Sequence, residues 1–314
     1  MTLRRKLSSF VMLLIAAAAT VLAVGTARAQ QKFDFSPEQT GRIRAEKNPD
    51  AIKAIASNFK FVKAGVFTVA TVSYAPPIAT YATDASTVVG SDVDYAQLLA
   101  DALGLKLQIV PIAWPDWPLG LTSGKYDAVI SNVGVTEQRK EKFDFTTYRL
   151  GLHGFYVRAD SPIKQIKTPE DIAGLRIITG SGTSQERILL EWNKQNLARG
   201  LKPVEIQYFD DDAASRVALL SGRADANLGP NSALAFQAAR DGKIRSVGTV
   251  NAGWPVKADV AIATRKGSGL ADALTLATNG LIRNGKYVQA LSRWSLQTEA
   301  VDRSETNPPG LPRF

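Results

Sequence analysis

Short apolar segments alternate with amphipathic helical segments along this chain, and this alternation limits its fold more than any other feature. The first group of predicted strands is Val66–Val72, Leu105–Val110 and Ala128–Ser131, with a helix predicted at Asp94–Leu103. Two parallel strands need a long crossover, which a helix usually supplies. The first half of the chain is therefore expected to form an α/β unit around a mainly parallel sheet.

The same rhythm starts again in the second half of the chain. The predicted strands are Arg176–Thr179, Val204–Tyr208 and Ala224–Leu228, and the predicted helices are Gln185–Gln195 and Ala213–Ser221. Thr183 or Ser184 can cap the first of these helices, because a hydroxyl accepts a bond from a free N–H of the first turn. Two consecutive α/β units are the expected architecture.

The N-terminus has the three parts of a secretory signal peptide. Arg4, Arg5 and Lys6 precede an apolar run from Phe10 to Val24, and residues 27–29 supply a small-x-small cleavage pattern. The run is short for a membrane span of about 20 residues, which favours a cleaved signal over a retained membrane anchor. We predict a signal peptide at residues 1–29, cleavage after Ala29, export of the mature chain, and an N-terminal arm at residues 30–63.

The composition excludes several classes of function. The chain has no cysteine and a single histidine, His153, so neither thiolate catalysis nor a histidine-based metal cluster is expected. The segment 1–29 holds four basic residues and no acidic ones, so its removal lowers the formal charge from +9 to +5. The remaining basic residues are spread along the chain, which argues against a nucleic-acid partner. No metal, cofactor or catalytic group is predicted.

One stretch, Ser131–Phe145, has the composition of a carboxylate-binding loop. It reads SNVGVTEQRKEKFDF and places Arg139 after a run of small and hydroxyl-bearing residues. A guanidinium presents a rigid fork of donors that matches a carboxylate, and nearby amides and hydroxyls can satisfy the remaining lone pairs. Arg139 is thus the leading candidate for a ligand anchor. The flanking candidates are Ser131, Asn132, Gly134 and Thr136.

Five local motifs occur in a fixed order between about Phe67 and Leu296. They are Gly90–Asp94, Gly124–Ala128, Val135–Arg139 with Phe143–Phe145, Gly180–Glu186 and Gly222–Ala226. In this order and spacing they resemble the motifs of the family 3 periplasmic solute-binding proteins, which are receptors for polar amino acids and opines in ABC importers.

This resemblance implies the type II periplasmic-binding-protein fold, in which two α/β lobes, each a mainly parallel sheet flanked by helices, are joined by two hinge strands. The first lobe would comprise residues 64–152 and 254–314, and the second lobe residues 153–253. The crossings would lie near Leu152–Arg158 and Gly248–Ala258. Ligand would bind between the lobes and favour the closed form by a hinge motion, in the manner of a Venus flytrap.

The resemblance also assigns roles to single residues. Arg139 matches the arginine that binds the ligand α-carboxylate, and Trp114 and Tyr74 fall where the family places the walls of its pocket. Thr183 and Ser184 lie at a predicted helix N-terminus, where free amides favour an anion.

Two positions depart from the family pattern and leave the ligand class open. Gly134 stands where a threonine or serine is usual, and residues 228–231 read LGPN where the family places the aspartate that binds the α-ammonium group. Asn227 or Asn231 could offer a carbonyl oxygen, although a neutral acceptor is weaker than a carboxylate. The ligand is then a standard amino acid that uses another carboxylate, such as Asp84 or Asp116, or an opine or other carboxylate.

The sequence therefore predicts a monomeric binding receptor, not an enzyme, that delivers an amino-acid-like solute to an inner-membrane ABC permease. Two alternatives remain open at this stage. A dehydratase on the same fold would use groups such as Glu186, His153 and Asp116, and a sensory module would pass the binding signal to a membrane receptor.

Overall fold

The computed structural model describes residues 32–73, 76–181, 183–209 and 212–312. The predicted signal peptide with its cleavage site, and Tyr74, lie outside these residues. Within the described ranges, no helix combines the length and the apolar character that a membrane crossing requires.

The described residues form twelve strands and nine α-helices. The strands are β1 (Val66–Thr71), β2 (Thr80–Tyr81), β3 (Val88–Val89), β4 (Lys106–Pro111), β5 (Ala128–Gly134), β6 (Phe143–Leu150), β7 (Leu152–Arg158), β8 (Arg176–Thr179), β9 (Glu205–Tyr208), β10 (Ala226–Pro230), β11 (Ile244–Asn251) and β12 (Asp259–Arg265). The helices are α1 (Pro49–Lys53), α2 (Ser91–Leu103), α3 (Trp117–Thr122), α4 (Glu137–Lys140), α5 (Ser184–Ala198), α6 (Asp212–Leu220), α7 (Asn231–Asp241), α8 (Ala271–Arg283) and α9 (Lys286–Ser292).

Two five-stranded sheets organise these elements. The first sheet has the order β4-β1-β5-β12-β6, and only β12 runs against the other four strands. The second sheet has the order β11-β7-β10-β8-β9, and only β7 runs against the rest. The sequence-based prediction of two mainly parallel α/β units is confirmed.

Both faces of the first sheet are covered by apolar side chains. On β5, Ile130 packs into the cluster formed with α2, α8 and α9, and Val129 and Val133 pack into a second cluster with Trp117 and Phe143. Successive strand residues point to opposite faces, so a sheet buried on both sides needs continuous apolar runs. The prediction ended β5 at Ser131, but the strand continues to Gly134 because β12 pairs with residues 133 and 134.

Helix α2 begins immediately after a glycine that the packing requires. Gly90 has a φ of 141°, and a Cβ at this position would collide with the carbonyl oxygen of Ile78. The predicted start of this helix at Asp94 was three residues too late, since Ser91 and Asp92 already belong to it.

The chain passes between the two sheets twice. The first passage is short and centres on Gly151, whose N–H donates to the Ala258 carbonyl at 2.9 Å. The second passage covers residues 252–258, between β11 and β12. The predicted crossing at Leu152–Arg158 was placed too late in the chain, because these residues form β7 and pair with β10 and β11.

Segments before the first sheet and after α9 pack onto both α/β units. Phe33 lies with its ring centroid 4.4 Å from that of Phe236 on α7, and Phe35 lies 5.8 Å from Trp294, which follows α9. The N-terminal arm therefore connects a helix of the second sheet with the helical layer of the first.

Candidate functional site

Several candidate residues lie just past the carboxyl ends of parallel strands. Trp114 follows β4, Arg139 follows β5, Thr183 follows β8 and Asn231 follows β10. Residues 72 and 73 follow β1 and lead to Tyr74, which lies outside the described residues. Open α/β sheets bind ligands at this edge, because the loops there can change without disturbing the sheet.

Arg139 is held in place by its own loop. Thr136 caps α4, its Oγ1 accepting from the Arg139 N–H at 3.1 Å, and Nη1 of Arg139 donates to the Gly134 carbonyl at 2.8 Å. The guanidinium carbon lies 5.6 Å from the Trp114 ring centroid and 5.7 Å from that of Trp117. Cation–π attraction and the carbonyl bond thus restrict this side chain before any ligand arrives.

A pocket of about 400 Å³ opens beside this guanidinium. Its walls include the two tryptophans, Phe143, and the charged side chains of Glu141 and Lys142. A volume of this size is in the range of small-molecule sites, and aromatic walls with a few charged groups are typical of them.

Two polar residues of β5 differ in exposure. Ser131 is fully buried, and its Oγ accepts from the Val72 N–H at 3.0 Å, so it ties β5 to the end of β1 and does not face a ligand in this structure. Asn132 is exposed, has a φ of 51°, and donates its N–H to Asp92 at 3.1 Å. Of the two, only Asn132 is exposed enough to reach a ligand.

The second sheet contributes the N-terminus of α5. Thr183 caps this helix as predicted, its Oγ1 accepting from the Glu186 N–H at 3.2 Å and donating to the Gly180 carbonyl at 2.7 Å. The next residue, Ser184, forms a 2.8 Å hydrogen bond through Oγ with Nε2 of His153.

The His153 imidazole is buried beneath this helix start. Burial lowers the pKa of His153 to about 4, so the ring is neutral near pH 7. Among the described residues, no hydrogen-bond partner reaches its Nδ1. A base in a Ser-His-Asp arrangement is oriented by a third group at this atom, and the described residues do not supply one.

The two asparagines proposed to replace the family's aspartate differ in how their amide groups are bonded. Asn227 donates through Nδ2 to Ser215 Oγ at 3.1 Å. Asn231 is buried; its Nδ2 donates to Glu299 Oε1 at 2.7 Å and its Oδ1 accepts from the Tyr156 hydroxyl at 3.0 Å. The expectation that the Asn231 oxygen could receive a ligand ammonium group does not fit this conformation.

Asp84, the alternative carboxylate, is occupied by its own loop. It accepts from the N–H groups of Ser86 at 3.0 Å and Thr87 at 2.9 Å, and the hydrogen bonds from Thr87 and Ser86 lower its pKa. The group is ionised and exposed, but these bonds use much of its acceptor capacity.

The sequence analysis missed a buried ion pair that connects Asn132 on β5 with Asn231 at the start of α7. Arg149 on β6 pairs with Glu299 and donates Nη2 to the Asn132 amide oxygen, while Glu299 accepts from Asn231. Burial opposes the charge on Arg149, but Glu299 and the neighbouring acidic groups outweigh it and raise its pKa. An arginine within the mostly apolar and hydroxyl-bearing strand β6 was the signal that could have pointed to this pair.

The described residues contain no group of three or more His, Cys, Asp or Glu side chains that could hold a metal ion. Two α/β units with one antiparallel strand each, two passages between them, and candidate side chains at the carboxyl edges define a two-lobed solute-binding protein of type II. A sequence model of the bacterial extracellular solute-binding proteins, family 3, matches residues 67–297, and the chain therefore belongs to this family.

Individual relatives agree with this membership. The L-cystine-binding protein TcyJ of Escherichia coli is 33% identical over 147 residues, which cover 46% of this chain and 52% of the relative. The cyclohexadienyl dehydratase of Pseudomonas aeruginosa is 26% identical over 168 residues, covering 53% of this chain and 59% of the relative. The chain thus spans about half the length of the curated relatives it matches.

A solved structure supports the fold alone. The second substrate-binding domain of GlnP from Lactococcus lactis, in its open conformation, superposes with a TM-score of 0.66 at 21% identity, over 76% of this chain and 98% of the domain.

Proposed function

We propose that this protein is the periplasmic substrate-binding receptor of an ABC importer and captures a small, carboxylate-bearing, amino-acid-like solute. It is exported with cleavage after Ala29, acts as a monomer, and delivers its ligand unchanged to an inner-membrane permease. The lobes comprise residues 64–152 with 254–314 and residues 153–253, and they close on the ligand. Relatives named as amino-acid-binding proteins support this class.

The observation that carries the proposal is the setting of Arg139. The loop after β5 holds its guanidinium against Trp114 and Trp117, beside a pocket of about 400 Å³. A fixed guanidinium binds a carboxylate with little loss of side-chain entropy, and the aromatic walls can cover the rest of a small ligand.

The expected ligand class depends on which protein groups are available to bind the amino group of the ligand. Asn231 is bonded to Glu299 and Tyr156, so the second lobe offers no aspartate and no available amide oxygen at residues 228–231. This favours a ligand whose amino group is substituted, as in an opine, over a ligand that needs a carboxylate at this position.

The test is a thermal-shift screen of the signal-free protein after unfolding and refolding to remove bound solute. The panel contains the free L-amino acids, L-cystine and octopine. A ligand at about 100 times its dissociation constant adds about 2.7 kcal/mol to the free energy of unfolding, enough for a clear shift. Quantitative recovery of the unchanged ligand by chromatography supports the receptor. No shift with any compound contradicts it.

A dehydratase is the second candidate, and the similarity to the Pseudomonas aeruginosa enzyme and the His153–Ser184 hydrogen bond favour it. Such an enzyme would convert its substrate, whereas a receptor returns it. Incubation with the cyclohexadienyl substrate of that relative separates the two: loss of substrate with formation of an aromatic product supports the enzyme, and full recovery supports the receptor.

A further inference from the structure

The segment after α9 reaches the loop that carries Arg139. Leu311 donates its N–H to the Val135 carbonyl at 2.9 Å, and its own carbonyl accepts from the Glu137 N–H at 3.0 Å. These two bonds bracket Thr136, the residue that caps α4. The segment lies beyond residue 297, where the family match ends, so the family pattern does not include it.

Gly310 lets this segment approach the loop closely. Its N–H donates to Glu137 Oε1 at 2.6 Å, and a Cβ at this position would lie 2.7 Å from the Thr136 carbonyl carbon. The backbone of residue 310 can lie this close to Thr136 only because glycine has no side chain. Glycine at 310 therefore allows the segment to pack against the Arg139 loop.

The segment is anchored upstream along the edge of the first sheet. β6 is the outer strand, and Asn307 accepts through Oδ1 from the Phe145 N–H at 2.9 Å and donates its own N–H to the Phe145 carbonyl at 2.9 Å. Glu305 bonds to the same strand: its carbonyl accepts from the Thr147 N–H at 3.0 Å, and its N–H donates to Thr147 Oγ1 at 2.8 Å. These bonds to β6 fix the position of the segment a few residues before Leu311.

The Leu311 side chain contacts the second passage between the sheets. A Cβ on Gly253 would collide with Leu311 Cδ2, which shows how closely the leucine packs there. Leu311 and Pro312 also line a largely apolar pocket of about 300 Å³ together with Trp254, Val256 and Ile188 of α5. One residue thus touches the Arg139 loop through its backbone and the passage through its side chain.

We propose that Leu311 is a positioning residue for ligand binding and couples the Arg139 loop to the second passage. This inference rests on the proposed function, in which Arg139 binds the ligand carboxylate and the lobes close by movement at the passages. A hinge that moves at residues 252–258 then changes the packing of Leu311, and the loop bonds of Leu311 carry that change to Thr136 and Arg139.

The test compares full-length variants by isothermal titration with the panel of free L-amino acids, L-cystine and octopine. Leu311→Ala keeps both backbone bonds but removes the contact with Gly253, so we expect an affinity about five-fold weaker. Leu311→Met should restore it, because methionine refills the space. Leu197→Ala, at a leucine 52% exposed on α5, is the matched control.

Melting temperatures separate positioning from folding. We expect Leu311→Ala to lower affinity while its melting temperature stays close to that of Leu311→Met. If Leu311→Ala binds as tightly as the unchanged chain while Arg139→Ala binds at least ten-fold more weakly, the inference is overturned and the proposed function stands. An equal loss in Leu197→Ala also overturns it. Absence of binding in the unchanged chain overturns both proposals.

Discussion

At the scale of single residues, side chains near the candidate site are held both by neighbours in the chain and by partners far along it. The cap at Thr183 follows from a local rule, because a hydroxyl just before a helix can accept from a free N–H of the first turn. The role of Arg139 as the ligand anchor stays a prediction. Asn231 has its amide bonded to Glu299, 68 residues further along the chain. No local pattern could indicate that this amide is already used.

His153 is the single histidine of the sequence, so the pH dependence of stability can test whether burial keeps its imidazole neutral. The folded pKa of His153 is about 4, below its ordinary value of 6.5, so between these values the unfolded chain binds a proton that the folded protein does not. Stability therefore falls as the pH drops from 6.5 towards 4, by about 3 kcal/mol. Urea unfolding at several pH values measures this loss.

His153→Gln removes the titrating ring while it keeps a polar side chain next to Ser184. We expect the stability of this variant to fall less than that of the unchanged chain over the same pH range. Parallel profiles for the two proteins would contradict the assignment of a buried, neutral imidazole.

At the scale of helices and strands, most elements could be read from local patterns, and the errors lie where distant pairing decides. The predicted strand Arg176–Thr179 has the bounds that are observed. β5 extends past its predicted end because it pairs with β12, more than 120 residues away. The region at Leu152–Arg158 was assigned to a hinge, yet it forms an interior strand of the second sheet, with residues 153–157 buried.

The short helix α4 depends on its cap. Thr136→Ala removes the bond to the Arg139 N–H and should lower the free energy of unfolding by about 1 kcal/mol. It should also weaken ligand binding, since the cap fixes the start of the turn that carries Arg139. Urea unfolding and titration calorimetry measure the two effects.

Thr136→Ser keeps the hydroxyl and should preserve both properties. Asn48→Ala, which removes the cap of α1, is the matched comparison, because it removes a helix cap that is not part of the Arg139 loop. If Thr136→Ala bound ligand as tightly as Thr136→Ser, the cap would have no part in the site.

At the scale of the whole molecule, a buried ion pair and a buried hydrogen bond, which share Glu299, link the two α/β units. Glu299 pairs with Arg149 of the first sheet and with Asn231 at the start of α7, which packs against the second sheet. Phe33 and Phe236 add an apolar contact between the N-terminal arm and the same helix. These contacts lie in segments partly outside residues 67–297, so the family motifs gave no indication of them.

Removing one member of the buried pair leaves the other charge without compensation. Glu299→Gln should therefore lower the free energy of unfolding by about 3 to 5 kcal/mol. The double variant Arg149→Met with Glu299→Met should lose less, because no buried charge remains. Denaturant titration of the single and double variants measures the difference.

An exposed pair provides the control. Glu46 contacts Lys286 with its side chain 78% exposed, and Glu46→Gln should change the free energy of unfolding far less than Glu299→Gln does, because water screens an exposed ion pair. A single variant Glu299→Gln that is as stable as Glu46→Gln would contradict the view that the pair at Arg149 holds the two units together.

The most direct test of the account is calorimetric titration of Arg139 variants with the compound that shifts the melting temperature most. Arg139→Ala should weaken binding by about 1.5 to 3 kcal/mol, roughly ten-fold to more than one hundred-fold, because a charged hydrogen-bond partner of the carboxylate is lost. Arg303→Ala, at an exposed arginine of the same chain, should bind as the unchanged protein does. Equal affinities for Arg139→Ala and Arg303→Ala would contradict the central claim that Arg139 binds the carboxylate of the ligand.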